Sequence, residues 1–299
     1  MVAYDPMTKV ICIVGPTASG KTALSIAIAQ ATGGEIVSAD SRQVYKGLDI
    51  GTGKITRAEQ KGVPHHLLDV ADPKDVFAAS DFVRLGRHAI DEIVTRGKIP
   101  IIVGGTGFYI DALLGTISLP QVPPNEALRK ELEALNLEEL VERLKQLDSF
   151  RAETVDVNNR PRVVRAIEIA EALGSVPPPN PNPLYETVYI GLTVPLEELR
   201  ERIHTRLLQR FENGMLEEAK TLNTSGLSYE RMETLGLEYR YMARHLQGLL
   251  SYEEMVEQLE KEIVAYAKRQ LTWFKRNKNI HWLLPDEKEK AIELVVNFK

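Results

Sequence analysis

The octapeptide GPTASGKT at residues 15–22 follows directly on the apolar run KVICIV at 9–14. A short β-branched run of this kind reads as a buried parallel strand. Gly15, Gly20, Lys21 and Thr22 match G-x-x-x-x-G-K-[ST], a phosphate-binding loop set between a strand and a helix. The spacing has a physical reason. Glycines let backbone N–H groups turn inward around an oxyanion, and Lys21 adds a point charge. The helix opening at KTALSIAIAQATGG presents the positive end of its dipole, and Gly33 and Gly34 close it. Thr22 can hold Mg²⁺ or a phosphate oxygen. Thr17, at the crown of the loop, can reach a bridging or transferred-group oxygen, or be a plain turn residue. A triphosphate in this loop makes the chain a kinase or an ATPase; another phosphate makes it something else.

The loop belongs to a wider rhythm. GEIVSAD reads as a second strand ending at Asp40. AASDFVRLGRHAIDEIVTRGK reads as a helix with one apolar face, capped by Ser80 or Asp81, and IPIIVGG as a further buried strand running into GGTGFY. This βαβαβ pattern predicts an α/β fold, a P-loop NTPase-like doubly wound parallel sheet with its site at the carboxyl ends of the strands. The rhythm stops at LPQVPPN (119–125). From Asn125 to Gly174 the pattern is helical, and SVPPPNPNP (175–183) follows as a stiff connector. ETVYIGLTV resumes strand character, and long helices run to about residue 278. The expected organisation is a catalytic core of residues 1–119 and 185–299 carrying a helical insert at 120–184.

Composition excludes several classes. Hydrophobic residues make up 43% and charged residues 26%, ordinary for a globular domain. No apolar stretch has the length of a membrane span, and the amino terminus carries no signal-peptide pattern, so a cytoplasmic protein is expected. Cys12 is the only cysteine, which leaves no internal disulfide and no cysteine-based zinc site. The net charge of −5 hides basic segments. Residues 261–279 carry Lys261, Lys268, Arg269, Lys275, Arg276 and Lys278 against Glu262, and 160–165 carry Arg160, Arg162 and Arg165 with no acid.

A phosphotransferase of this class usually offers a second carboxylate at a strand end to hold Mg²⁺. IIVGGTG offers none. GEIVSADSRQVY offers Asp40, which can hold Mg²⁺, act as a general base on an incoming nucleophile, or simply cap the next turn.

Taken together, GPTASGKT, SADSRQVYKGLDIGTGK, PHHLLD and GGTGFYIDALL resemble the tRNA dimethylallyltransferase (isopentenyl-tRNA transferase) family of bacterial type. The resemblance continues through LEELVERLKQLD, RPRVVRAIEI, RIHTRLLQRFENGMLEEA and SYEEMVEQLEKEIVAYAKRQLTWFKR, from about residue 10 to 283. It implies transfer of a dimethylallyl group from dimethylallyl diphosphate to N6 of the adenosine 3′-adjacent to the anticodon, in tRNAs reading codons that begin with U. Gly15, Pro16, Thr17, Ala18, Ser19, Gly20, Lys21 and Thr22 would then cradle a diphosphate leaving group with Mg²⁺ on Thr22. Asp40 would be the base for the amine, Thr106 would stand near the reacting nucleotide, and Arg206 would help bind the diphosphate. By helical spacing alone Arg206 is one of a solvated row with Arg202 and Arg210.

The resemblance also implies RNA contacts. Asp40, Ser41, Arg42, Gln43 and Thr106 would meet a flipped adenine or its neighbour. Arg129, Pro161, Arg162 and Arg165 would meet tRNA from the insert. Lys268, Arg269, Gln270, Thr272, Trp273 and Lys275 would form a second surface on the core, although Trp273 can equally pack inside. The partners expected are the anticodon arm of tRNA and dimethylallyl diphosphate, with no membrane and a monomeric chain.

Two segments depart from the family pattern. LGLEYRYM (235–242) has Leu237 where relatives carry tyrosine, and NNRPRVVR has its proline moved later. The zinc-finger tail of eukaryotic members is absent. Three other readings compete. A P-loop nucleoside or small-molecule kinase leaves the basic helix and the insert without a role. An adenylate isopentenyltransferase would not need the insert. A non-catalytic RNA-binding protein predicts loss of the loop or of Asp40, and both are present.

Overall fold

The computed structural model describes residues 7–178 and 180–298. The first six residues, Pro179 of the connector and Lys299 lie outside it. The chain divides into two compact units, one of them Thr116–Asn182 and the other made of the segments before and after it.

The first segment of the larger unit runs β1 (Lys9–Val14), α1 (Lys21–Thr32), β2 (Glu35–Ser38), β3 (His65–His66), α2 (Ala79–Thr95), β4 (Pro100–Gly104) and α3 (Gly107–Leu114). The smaller unit holds α4 (Glu126–Glu133), α5 (Leu137–Leu147), α6 (Ser149–Thr154) and α7 (Arg160–Leu173). The larger unit then resumes with β5 (Glu186–Leu192), α8 (Leu196–Glu212), α9 (Met215–Thr224), α10 (Tyr229–Thr234), α11 (Leu237–Leu246), α12 (Tyr252–Phe274), β6 (Ile280–Leu283) and α13 (Lys288–Phe298). The strands form one six-stranded sheet, every pair parallel, in the order β3-β2-β4-β1-β5-β6.

The apolar run of β1 is buried on both faces. Ile11 and Ile13 pack with α1 and α13, while Val10, Cys12 and Val14 pack with α2 and α3. This is why the strand shows no polar alternation. Helices α8–α12 enclose a separate core with Val44, Tyr45 and Leu48. No helix among the described residues is long and apolar enough to cross a membrane.

Two local readings are corrected. Helix α2 begins at Ala79, so Asp81 is its third residue and not its cap; its carboxylate accepts the Ala78 N–H at 3.1 Å. The helical pattern through LDSF breaks at Asp148, whose side chain caps the new helix α6 by accepting the Arg151 N–H at 2.8 Å. An acceptor at that position rewards a fresh N-terminus more than continuation.

At the amino-terminal edge of the sheet, Glu35 is nearly fully buried and held by Arg96 (2.8 Å), Lys98 (3.0 Å) and His66 (2.7 Å). Burial alone would raise its pKa, but the bonds from Arg96, His66 and Lys98 outweigh it and hold the carboxyl down at about 2. Since the folded value lies below the unfolded one, the stabilisation is present above pH 4.5 and is lost as pH falls toward 2. At 1.36 kcal/mol per unit it is worth up to roughly 3 kcal/mol, less the screening at Arg96 and Lys98. From urea titrations at each pH, the fall in unfolding free energy between pH 6 and pH 3 should be about 2 kcal/mol larger in the native chain than in Glu35→Gln.

The smaller unit has its own core of Leu128, Leu132, Leu140, Leu144, Val163 and Ile167. It also has a buried acid, Glu168, whose side chain is 0% exposed. Arg129 grips it with two bonds at 2.7 and 3.1 Å, Arg165 adds one at 3.0 Å and the Asn125 N–H another at 2.9 Å. Arg160 donates to the carbonyls of Leu132, Glu133 and Leu135, capping the end of α4.

Candidate active site

Three neighbouring strands, β2, β4 and β1, deliver their carboxyl ends to one cavity of about 730 Å³. β1 brings the loop 15–22. Gly15 takes φ +147°, and a Cβ there would stand 2.7 Å from the Leu192 carbonyl oxygen of β5, so only glycine lets the chain leave the strand at this point. Gly20, at φ +94°, caps α1 without any side-chain bond to its first N–H groups. A helix start left open in this way is an anion site.

Lys21 folds back to the loop, its Nζ donating to the Pro16 carbonyl at 2.6 Å. Burial pushes its pKa down to about 7, the Asp40 carboxylate opposing this and the Arg206 guanidinium adding to it. The Ser19 hydroxyl is buried in the loop and finds no hydrogen-bond partner among the described residues. Thr17, Ala18 and Thr22 line the cavity with Lys21, while Pro16 is packed inside.

β2 brings Asp40. Its Oδ1 accepts the N–H groups of Arg42 (2.8 Å) and Gln43 (3.2 Å), while Oδ2 has no protein partner among the described residues. The carboxylate therefore caps the turn with one oxygen and lines the cavity. The Gln43 amide is spent on the carbonyls of Thr52 and Gly53. Ser41 and Arg42 also line the cavity.

β4 brings GGTG. Thr106 accepts the Ser41 N–H at 3.2 Å and is hydrogen-bonded to Tyr266. Burial and, after it, the nearby Asp40 push the Tyr266 phenol up to about 12, with the bond to Thr106 opposing them. The glycines of this strand end have a steric cause. A Cβ on Gly105 would collide with Gln270, and one on Gly107 with Trp273, both from α12.

Gln270, expected among RNA contacts, is 6% exposed with both ends of its amide engaged. Its Oε1 accepts the Thr17 N–H at 2.8 Å and its Nε2 donates to the Gly105 carbonyl at 2.9 Å. It joins the phosphate loop to the end of β4.

The row Arg202, Arg206, Arg210 lies on the cavity wall, and the fold separates its members. Arg202 pairs with Glu198 at 2.6 Å, and Arg210 with Glu238 at 3.4 Å. Arg206 has no hydrogen-bond or ion-pair partner among the described residues. Its guanidinium is accessible from the cavity yet crowded by protein. Burial, and then the charge of Arg210, lower its pKa to about 10, so it stays charged at neutral pH.

Sequence reasoning missed Arg210, Glu238 and Tyr266. The segment LGLEYRYM, flagged as a departure, sends Gly236, Leu237, Glu238 and Arg240 into the cavity wall. Burial raises the pKa of Glu238, with Arg210 opposing.

Lys268, Arg269 and Thr272 are exposed on α12, and Lys275 is exposed just past its end. Arg129, Pro161, Arg162 and Arg165 lie on the smaller unit. There Arg129 and Arg165 hold Glu168, while Arg162 is open, 3.4 Å from Asp156.

Known proteins show the same arrangement of chain. A family model described as IPP transferase matches residues 43–277. The tRNA dimethylallyltransferase 1 of Geotalea uraniireducens is 44% identical over 282 residues, 93% of each chain. The solved tRNA isopentenylpyrophosphate transferase of Bacillus halodurans is 36% identical, with a TM-score of 0.74 over 97% of this chain and 96% of that one. A eukaryotic dimethylallyltransferase captured acting on tRNA is 27% identical, with a TM-score of 0.84 over 97% of this chain and 79% of that one. With identity of this order along nearly its whole length, and a family model covering most of it, the chain belongs to the IPP transferase family.

Proposed function

We propose that this chain transfers a dimethylallyl group from dimethylallyl diphosphate to N6 of the adenosine 3′-adjacent to the anticodon, in tRNAs reading codons that begin with U, and that it acts as a monomer. The observation that carries the reaction is the convergence of a phosphate loop, Asp40 and Thr106 on one cavity at the ends of three adjacent strands. The curated and solved relatives bear the names of this activity.

The exocyclic amine attacks C1 of the allylic diphosphate. A C–N bond forms, the C–O bond to the diphosphate breaks, and the electron pair leaves on the diphosphate oxygen. Asp40 takes the amine proton, its turn-capping oxygen holding the carboxylate in place while the other receives. Lys21, Arg206 and the open N–H groups at the start of α1 meet the charge that grows on the leaving group. Thr17 and Thr22 donate to diphosphate oxygens. Thr106, whose hydroxyl accepts the Ser41 N–H, meets the edge of the turned-out base.

Among the described residues no three acidic, histidine or cysteine side chains gather to hold a metal. The loop instead offers hydroxyls, with Thr22 following Lys21 at the start of α1. That donor set fits Mg²⁺, which keeps water and takes most of its remaining ligands from phosphate. Thr22 would hold it, and the ion would neutralise charge on the diphosphate.

The test is direct. Purified chain, Mg²⁺ and unmodified tRNA are incubated with dimethylallyl diphosphate or with ATP, and the tRNA is digested for nucleoside mass spectrometry. Isopentenyladenosine formed only with the allylic diphosphate is the expected result. ATP consumption without a modified nucleoside would replace this reading by a kinase. Sequencing the modified tRNAs and light scattering of the free chain test the codon set and the monomer.

A further inference from the structure

Trp273 is the aromatic residue that the basic segment offers to RNA, but the fold uses it internally. Its indole N–H donates to Asp111 Oδ2 at 2.9 Å, the Arg276 guanidinium stacks on its ring at 3.7 Å, and its edge lies against Gly107. Beside it an aromatic side chain is left open, Phe108, in the first turn of α3 and 42% exposed. Its ring meets Trp273 edge-on, with centroids 6.4 Å apart at 85°.

A single exposed phenylalanine is ordinary. What sets this one apart is its place. Thr106, two residues earlier, lines the cavity, as do Arg269 and Gln270 on α12, one turn before Trp273. Phe108 therefore stands just outside the rim. Arg276, which stacks on Trp273, is exposed, as is Lys275, the residue before it in the chain. The nearby acid, Asp111, is engaged by Trp273 and lies 3.7 Å from Arg276. An open aromatic face beside exposed cations is the chemistry of single-stranded nucleic-acid binding.

We propose that Phe108 is a stacking platform for the loop nucleotide next to the base drawn into the cavity, with Lys275 and Arg276 on the adjoining phosphates. This inference rests on the tRNA reading given above. A base turned out of a loop leaves its neighbour with an uncovered face, and an aromatic ring at the rim recovers part of the lost stacking. Phe108 is a positioning residue for RNA and touches no diphosphate.

The test compares wild type with Phe108→Ala, Phe108→Leu and Phe108→Tyr. The probe is an unmodified tRNA transcript that the wild type modifies, with Kd measured over a range of salt and KM measured for dimethylallyl diphosphate. The Ala and Leu variants should raise the tRNA Kd about tenfold, as loss of one base–aromatic stack does. Tyr should stay within about twofold of wild type on the same grounds. The slope of log Kd against log salt should not change, because no phosphate contact is lost. KM for the diphosphate should not move. Wild-type affinity in the Ala variant overturns the inference, and wild-type affinity in the Leu variant overturns it too, since apolar packing would then suffice. Either result, obtained with an active wild type, leaves the transferase reading standing. A wild type that modifies no tRNA removes both.

Discussion

Asp40→Asn lowers the single-turnover rate of transfer about 10³-fold while tRNA affinity stays within a few-fold of wild type, the loss being that of a positioned general base. Asparagine is the informative replacement because Asp40 has two tasks. Its Oδ1 accepts the N–H groups of Arg42 and Gln43, and an amide oxygen can do the same. The turn survives, and only the ability to take a proton is removed. Asp40→Ala removes both and should lose tRNA affinity as well, because the N–H groups of Arg42 and Gln43 are then no longer held. An Asn variant with near-wild-type rate would mean that the proton leaves by another route and that Asp40 is a cap alone.

Lys21→Ala lowers the turnover roughly 10²–10³-fold, the range for deleting one preorganised charge from a developing anion. A pH profile adds a second, independent readout. Burial holds the Lys21 ammonium at about 7 in the free protein. A lysine is charged below its pKa, so kcat/KM for the diphosphate should fall as pH rises above 7. The profile of kcat/KM reports the free enzyme. Bound diphosphate stabilises the ammonium, so the corresponding limb in kcat should lie at higher pH. Arg206, at about 10, stays charged across this range and cannot produce the limb. A kcat/KM profile flat between pH 6 and 9 would show that Lys21 does not titrate in the free site.

Much of the core was legible because its signals are local. KVICIV, the loop and the helix after it are contiguous, and a run of β-branched residues buried on both faces has no other reading beside a glycine-rich turn. The parallel sheet followed from the spacing of three such runs. Strand β6 and helix α13 were not legible. IHWL is four residues long, includes an exposed His281, and becomes a strand only because β5 offers it an edge. The pair His65–His66 is a strand for the same reason, beside β2.

The site divides in the same way. The residue types were readable, since a glycine loop ending in Lys-Thr and a carboxylate at a strand end are short-range patterns. Their assignments were not. Arg202, Arg206 and Arg210 are equivalent by helical spacing. The fold distinguishes them by giving Glu198 to the first and Glu238 to the third, leaving Arg206 free for an anion. Gln270 reads as one polar residue in a basic helix, yet it joins Thr17 to Gly105 across sequence separations of 253 and 165 residues. By itself, then, the sequence determined the kind of sheet, the end of it that carries chemistry, and the groups available there. Which of those groups remain unpaired, and which are spent holding the loop, the tertiary structure alone decided. A polar side chain's role depends on the partners that distant segments bring to it, and no local pattern encodes them.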